Sequence, residues 1–384
     1  MLAVSVYLGI LNLSLLSDQI RREPNIAQWT FDLTDAGYPS AKSWRDTHLT
    51  LKSSSEGVSF IDNRTVVAYF VTKDDITEFS NRRDVKQGSP FRLRAVFGDL
   101  SGRKVTSTKD WPTREFQSWV MPTSDGKFVV RAAESLQLYS PDFLLVKEYS
   151  LAATGRRFES WHVEASPSGK ILWLDDEGDG KSRIQVLDMN TFNQLASWDE
   201  QLLGGLFSVS NQAISKRPVQ YPQRVIIKSI GGPWHILYDE SGGCVTEPTF
   251  VNDEALITGP CGTLGLISTS GQILMTEKIP KGVHLESEIA ASRNGRMAAV
   301  SLMRTKGGAF DTAIRRSATT VVVYDLEQRR SVLRVNVDPI PKSSYHFALS
   351  PDGASLAVMT DSIIKLYNTR NPEERIDAKA PLEK

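Results

Sequence analysis

A turn of the form Ser/Thr-x-x-Gly recurs in units of about 40 residues, two of which run nearer to 60 through insertions, a short β-branched or apolar run follows each copy, and no long helical periodicity intervenes. Together these predict an all-β fold: a single β-propeller, most simply of seven four-stranded blades, closed by an N-terminal strand that completes the last blade.

The repeat is clearest in two segments. Residues 160–169 (SWHVEASPSG) and 344–353 (SYHFALSPDG) both give Ser-aromatic-His and then Ser-Pro-x-Gly. A third copy, 118–126 (SWVMPTSDG), is one residue shorter, and 292–295 (SRNG) ends a fourth. Proline presets φ in such a turn and glycine accepts a positive φ, so the element reverses the chain between two strands. Apolar runs follow at 127–131 (KFVVR), 170–174 (KILWL) and 354–359 (ASLAVM). After a second turn come strands with alternating patterning at 136–139, 184–187, 321–324 and 363–367.

Read as four-stranded units, the chain has starts near Val58, Phe116, Phe158, Phe207, Thr249, Glu286 and Tyr345. The unit near Phe207 is the least distinct, and six or eight blades would also accommodate it. The last unit stops after three strands, at Asn368, and residues 24–33 (PNIAQWTFDL) supply its fourth from the other end of the chain. That pairing removes two exposed sheet edges at once. The propeller is therefore expected over residues 24–370, followed by a polar tail, 371–384.

Residues 348–360 (ALSPDGASLAVMT), with Ile364-Lys365-Leu366-Tyr367 after them, resemble the WD40-like and YVTN-type repeats of bacterial β-propellers. The Trp-Asp ending and Gly-His start of eukaryotic WD40 repeats are absent. What the resemblance implies is a fold, since propellers carry many unrelated functions.

Composition narrows the function classes. The 45 Lys+Arg balance the 45 Asp+Glu, so no long-range field draws the chain toward nucleic acid, and no nucleic-acid ligand is expected. Residues 2–16 (LAVSVYLGILNLSLL) are apolar and uncharged, too few for a membrane span, which needs roughly 20 residues. They suit the apolar core of an export signal within residues 1–17, although no Lys or Arg precedes them and no Ala-x-Ala site follows. The expectation is a periplasmic or extracellular protein; a buried N-terminal strand or helix is the alternative and would leave it cytoplasmic. Cys244 and Cys261, the two cysteines, flank one predicted hairpin and could form a disulfide in an oxidising compartment or remain two core thiols.

Chemical motifs are sparse. Residues 177–182 (EGDGKS) resemble the tail of a phosphate-binding loop, but Asp175 stands where its first glycine is needed and a strand follows in place of a helix. Asp175, Glu177 and Asp179 are spaced like the start of a calcium loop, yet Val186 occupies the position of the closing glutamate, so a solvated hairpin is the simpler reading. Of the five histidines (His48, His162, His235, His284 and His346), only His162 and His346 occupy equivalent repeat positions, short of the several that an axial iron site requires. No nucleophile elbow is present, and no cofactor is expected.

The remaining constellation is geometric. In the propellers that this chain resembles, loops entering each blade and loops joining its second and third strands share one face. Trp119, Trp161 and Tyr345 stand at blade entries. Two insertions, at 72–90 and 304–317, fall between second and third strands of the first and sixth units, which flank the seventh in a closed ring. They carry Arg82, Arg83, Lys86, Arg304, Lys306, Arg315 and Arg316. Long loops on a rigid scaffold are where binding concentrates. The expectation is a monomeric binding module whose loop face takes a protein or a polymeric or anionic ligand. Packing between blades is the alternative role for the aromatics, and a propeller enzyme working at the channel mouth is the alternative function.

Overall fold

The computed structural model describes residues 27–38, 56–73, 91–113, 118–132, 134–151, 161–178, 181–201, 207–218, 223–239, 244–306, 315–337 and 345–370. These form seven four-stranded antiparallel sheets, each ordered consecutively except the last. Blade 1 is β2 (Glu56–Phe60), β3 (Thr65–Lys73), β4 (Phe91–Asp99) and β5 (Lys104–Pro112), and blade 2 is β6 (Trp119–Pro122), β7 (Phe128–Ala132), β8 (Ser135–Tyr139) and β9 (Leu145–Ser150). Blade 3 is β10 (Trp161–Ala165), β11 (Ile171–Gly178), β12 (Lys181–Asp188) and β13 (Gln194–Gln201); blade 4 is β14 (Phe207–Val209), β15 (Ala213–Lys216), β16 (Arg224–Ser229) and β17 (Trp234–Asp239). Blade 5 is β18 (Thr249–Phe250), β19 (Ala255–Ile257), β20 (Thr263–Ser268) and β21 (Ile273–Lys278); blade 6 is β22 (Val283–Ala291), β23 (Met297–Lys306), β24 (Arg315–Asp325) and β25 (Arg330–Asn336).

Blade 7 is knitted from both ends of the chain. Its inner strands are β26 (Tyr345–Leu349), β27 (Ser355–Thr360) and β28 (Ile363–Asn368), and its outer strand is β1 (Trp29–Asp32). Trp29 lies opposite Leu366 and Asp32 opposite Ile363. A short 3-10 turn, Thr34–Ala36, leaves β1, and no helix among the described residues is long and apolar enough to cross a membrane.

The core is divided among the seams. Phe128 and Val130 of β7 pack toward blade 1 beside Val67, Leu93 and Phe97, while Val129 packs toward blade 3 beside Val163, Leu172 and Leu174. Burial on both faces is why these strands read as continuous apolar runs in sequence. Every neighbouring pair of blades has such a cluster; the least extensive, between blades 4 and 5, comprises buried Ala213, Ile227, Phe250 and Leu256. Between blades 3 and 4, Trp173 is fully buried and donates its indole N–H to Ser210 O at 3.0 Å.

Outer strands present free edges, a hazard that bulges blunt by twisting the edge away. In each of blades 1 to 6 the register between third and outer strands shifts by a bulge, as between Leu138 and Tyr139 or Val186 and Leu187. Strand β1 pairs with β28 without one.

Candidate functional site: the loop face of blades 6, 7 and 1

First strands run from the loop face to the tight turns at the opposite end, so the starts of β2, β22 and β26 and the far ends of the β3–β4 and β23–β24 hairpins share one face. The β23–β24 hairpin has the longest strands among those described, with 10 and 11 residues. Of the segment read from sequence as a 304–317 loop, residues 304–306 and 315–317 extend this strand pair, and the connection itself is 307–314. Register sets Arg304 opposite Ala318, Thr305 opposite Arg316 and Lys306 opposite Arg315, with a bulge between Arg304 and Thr305. Four basic residues thus stand on the last rungs of one hairpin, and the Arg304 side chain is exposed.

Nearer the axis the chemistry reverses sign. Tyr38 donates its hydroxyl to Glu56 Oε2 at 2.8 Å. His346 Nδ1 lies 3.0 Å from Glu288 Oε1, and because a carboxylate only accepts, Nδ1 carries the proton in that contact. His346 Nε2 lies 4.0 Å from Glu56 Oε1. Burial, with the charges of Glu288 and Glu56 added, pushes the Tyr69 hydroxyl above the usual phenol range. Ser301 donates to Glu286 Oε2 at 2.7 Å on the same blade. An imidazole on blade 7 therefore sits between carboxylates of blades 6 and 1. Glu288 stands four residues before the turn serine Ser292, as His162 and His346 stand before Ser166 and Ser350. The histidine-carboxylate contact joins repeat-equivalent positions of adjacent blades, a relation hidden in sequence because the residue type differs.

The other candidates are distributed. Trp119 is buried against Val129, Leu136 and Val163, the inter-blade packing role. Trp161 and Tyr345 open β10 and β26; Arg315 and Arg316 open β24. Arg82, Arg83, Asp179 and His48 lie outside the described residues. His162 is exposed with its ring centroid 6.5 Å from that of Phe207, while His235 and His284 are exposed on β17 and β22. No three or more His, Cys, Asp or Glu side chains converge as a metal-holding group among the described residues.

Asp175 does not lie in a loop. It is buried within β11 opposite His162 and Ile184, and Glu177 follows on the same strand, opposite Ser182. Lys216 is buried near it; burial pulls the ammonium down to about 8, against the opposing charges of Glu200 and Asp175. Cys244 and Cys261 form a disulfide with Cα atoms 5.3 Å apart, tying the entry of blade 5 to its β19–β20 connection. The Cys261 N–H donates to Cys244 O at 2.8 Å, and Val245 bridges Pro260 beside it.

No family model matches the chain, and no curated protein matches it in sequence. Among solved structures, a chain of a mitotic checkpoint complex is 11% identical over 91% of this chain and 93% of its own, with a TM-score of 0.52. Hsv2 of Kluyveromyces lactis is 11% identical with a TM-score of 0.48, covering 80% of this chain and 91% of its own. TolB of Acinetobacter baumannii is 12% identical with a TM-score of 0.39, over 78% and 79%. The likeness to the first of these is one of fold alone, and it agrees with the sheet order: the chain is a seven-bladed β-propeller.

Proposed function

We propose that this protein is an exported, monomeric, non-enzymatic binding propeller of the WD40-like and YVTN-type bacterial kind, whose loop face over blades 6, 7 and 1 takes an acidic polypeptide. The observation that carries this reading is the register of the β23–β24 hairpin, which gathers Arg304, Lys306, Arg315 and Arg316 at its tip. Rim charges of one sign raise encounter rates and select oppositely charged partners. The apolar stretch 2–16 and the Cys244–Cys261 disulfide support the assignment to an oxidising compartment. The test uses polyglutamate as probe: the natural protein binds it with an affinity that falls steeply as salt rises, and the Arg315→Glu/Arg316→Glu variant does not. Equal binding by the two overturns the reading.

A second reading rests on the Glu56–His346–Glu288 arrangement. Converging carboxylates and an imidazole at the inner wall are groups that acid–base hydrolysis uses. In this reading the protein turns over a sugar, lactone or peptide at the channel. Turnover of a model compound that His346→Gln abolishes would carry it; the same turnover in both proteins would sink it.

A further inference from the structure

At the end opposite the loop face, the seven first-to-second-strand turns meet around a polar recess of about 780 Å³. Six of the seven seams are stitched there by hydrogen bonds between neighbouring turns. Asp352 N–H donates to Asn63 Oδ1 at 3.0 Å between blades 7 and 1, Asn294 N–H to Pro351 O at 3.1 Å between 6 and 7, and Asn252 Nδ2 to Gly295 O at 3.1 Å between 5 and 6. Between blades 4 and 5, Asn211 donates through both its backbone N–H and Nδ2 to the Asp253 carboxylate, each at 2.8 Å. Ser168 Oγ donates to Asn211 Oδ1 at 2.8 Å between 3 and 4, and Ser124 N–H to Gly169 O at 2.8 Å between 2 and 3. Gly169 has φ +69°, and an added Cβ would meet the backbone of residues 122–124 at 3.0–3.1 Å, so no other side chain fits that approach.

Blades 1 and 2 lack such a stitch between their own turns among the described residues. Arg293 of blade 6 supplies it instead. Its Nη1 donates to Thr123 O of blade 2, and its Nη2 to Ile61 O and, at 2.9 Å, Phe60 O of blade 1. Blade 2 lies three places from blade 6 in a ring of seven, nearly diametrically opposite, so the side chain must cross the mouth of the channel. Arg293 stands where the repeat has Pro167 and Pro351. A proline there could only shape its own turn; a guanidinium offers a planar fork of donors that can hold carbonyls of two blades at once. Burial costs that cation some of its charge preference, and Asp62 beside it offsets part of the cost.

We infer that Arg293 is an axial strap: it holds the seam between blades 1 and 2 shut and closes the channel at the turn end, leaving the loop face as the entrance. This inference stands apart from the binding reading, because it concerns the opposite end of the ring.

Amide hydrogen exchange on the full chain tests it by position. In Arg293→Ala, amides at 61–65 and 123–127 should exchange about tenfold faster, the scale of a lost hydrogen-bonding group with a charged donor. Amides of the 4/5 stitch, Asn211 foremost, should keep their rates. Acceleration spread evenly over all seven blades, or none at the 1/2 seam, overturns the strap. If Arg293→Ala does not fold, Arg293→Lys, which keeps the charge and loses the fork, is read by the same two sets of amides.

Discussion

The two ends of this ring are built on opposite principles. The turn end is a girdle: short turns, carbonyls and side-chain amides bonded from blade to blade, and one arginine across the middle. The loop end carries the longest hairpin, the disulfide of blade 5, and titratable groups that meet across blades 6, 7 and 1. Tight turns satisfy their backbone groups locally and leave side chains free to stitch neighbours, which rigidifies that end. Longer connections relinquish that order and gain surface, which is why the proposed binding face is placed at the other end.

Deleting residues 24–33 should break the contrast altogether, because both ends depend on the closing strand. The expected outcome is loss of cooperative unfolding in a circular-dichroism melt; a truncated protein melting like the full chain would show that blade 7 holds with three strands. Next in size is Trp173→Ala, at the seam between blades 3 and 4. Removing a fully buried indole that also donates to Ser210 O should cost about 3–5 kcal/mol in urea unfolding, with the loop face intact.

A smaller effect sharpens the contrast by pH. Lys216 has its folded value lowered to about 8, so its contribution to stability is present above its unfolded value of 10.5 and is lost as pH falls through 8. Between those limits the natural protein should lose on the order of 1 kcal/mol more than Lys216→Met as pH is lowered. Equal slopes would mean that the amine is as well solvated folded as unfolded. The smallest effect belongs to Arg315→Glu/Arg316→Glu, whose unfolding free energy should stay within about 0.5 kcal/mol of the natural protein, as for other substitutions made to change a surface. A large loss would make those arginines part of the scaffold.

The architecture was legible because its repeat is carried by backbone requirements. Ser166, Gly169, Ser350 and Gly353 mark turns in any sequence, and the starts read at Phe207, Thr249 and Tyr345 coincide with the first residues of β14, β18 and β26. Others differ by two or three residues, as at Phe116 against Trp119, where strand ends are set by partner length and not by local pattern. The candidate site was less legible. Register alone aligned Lys306 with Arg315, and the two ends of the 304–317 segment had the composition of a loop while extending strands. Glu288 was invisible because it departs from the repeat that made His162 and His346 noticeable. Arg293 was hidden in the same way: a residue that breaks a repeat looks like drift until its partners, over two hundred positions away at Phe60 and Ile61, are known.

Blade 7 also constrains when this molecule can exist. Strand β1 is made before every other strand of the propeller, and its partner β28 after them, so Trp29 waits for Leu366 through the synthesis of every other blade. Six blades can assemble side by side as an open arc during that time, but the circle has no moment of closure before Asn368 is available. A nascent chain therefore carries an open arc, with β1 waiting, until the last strand of the propeller emerges.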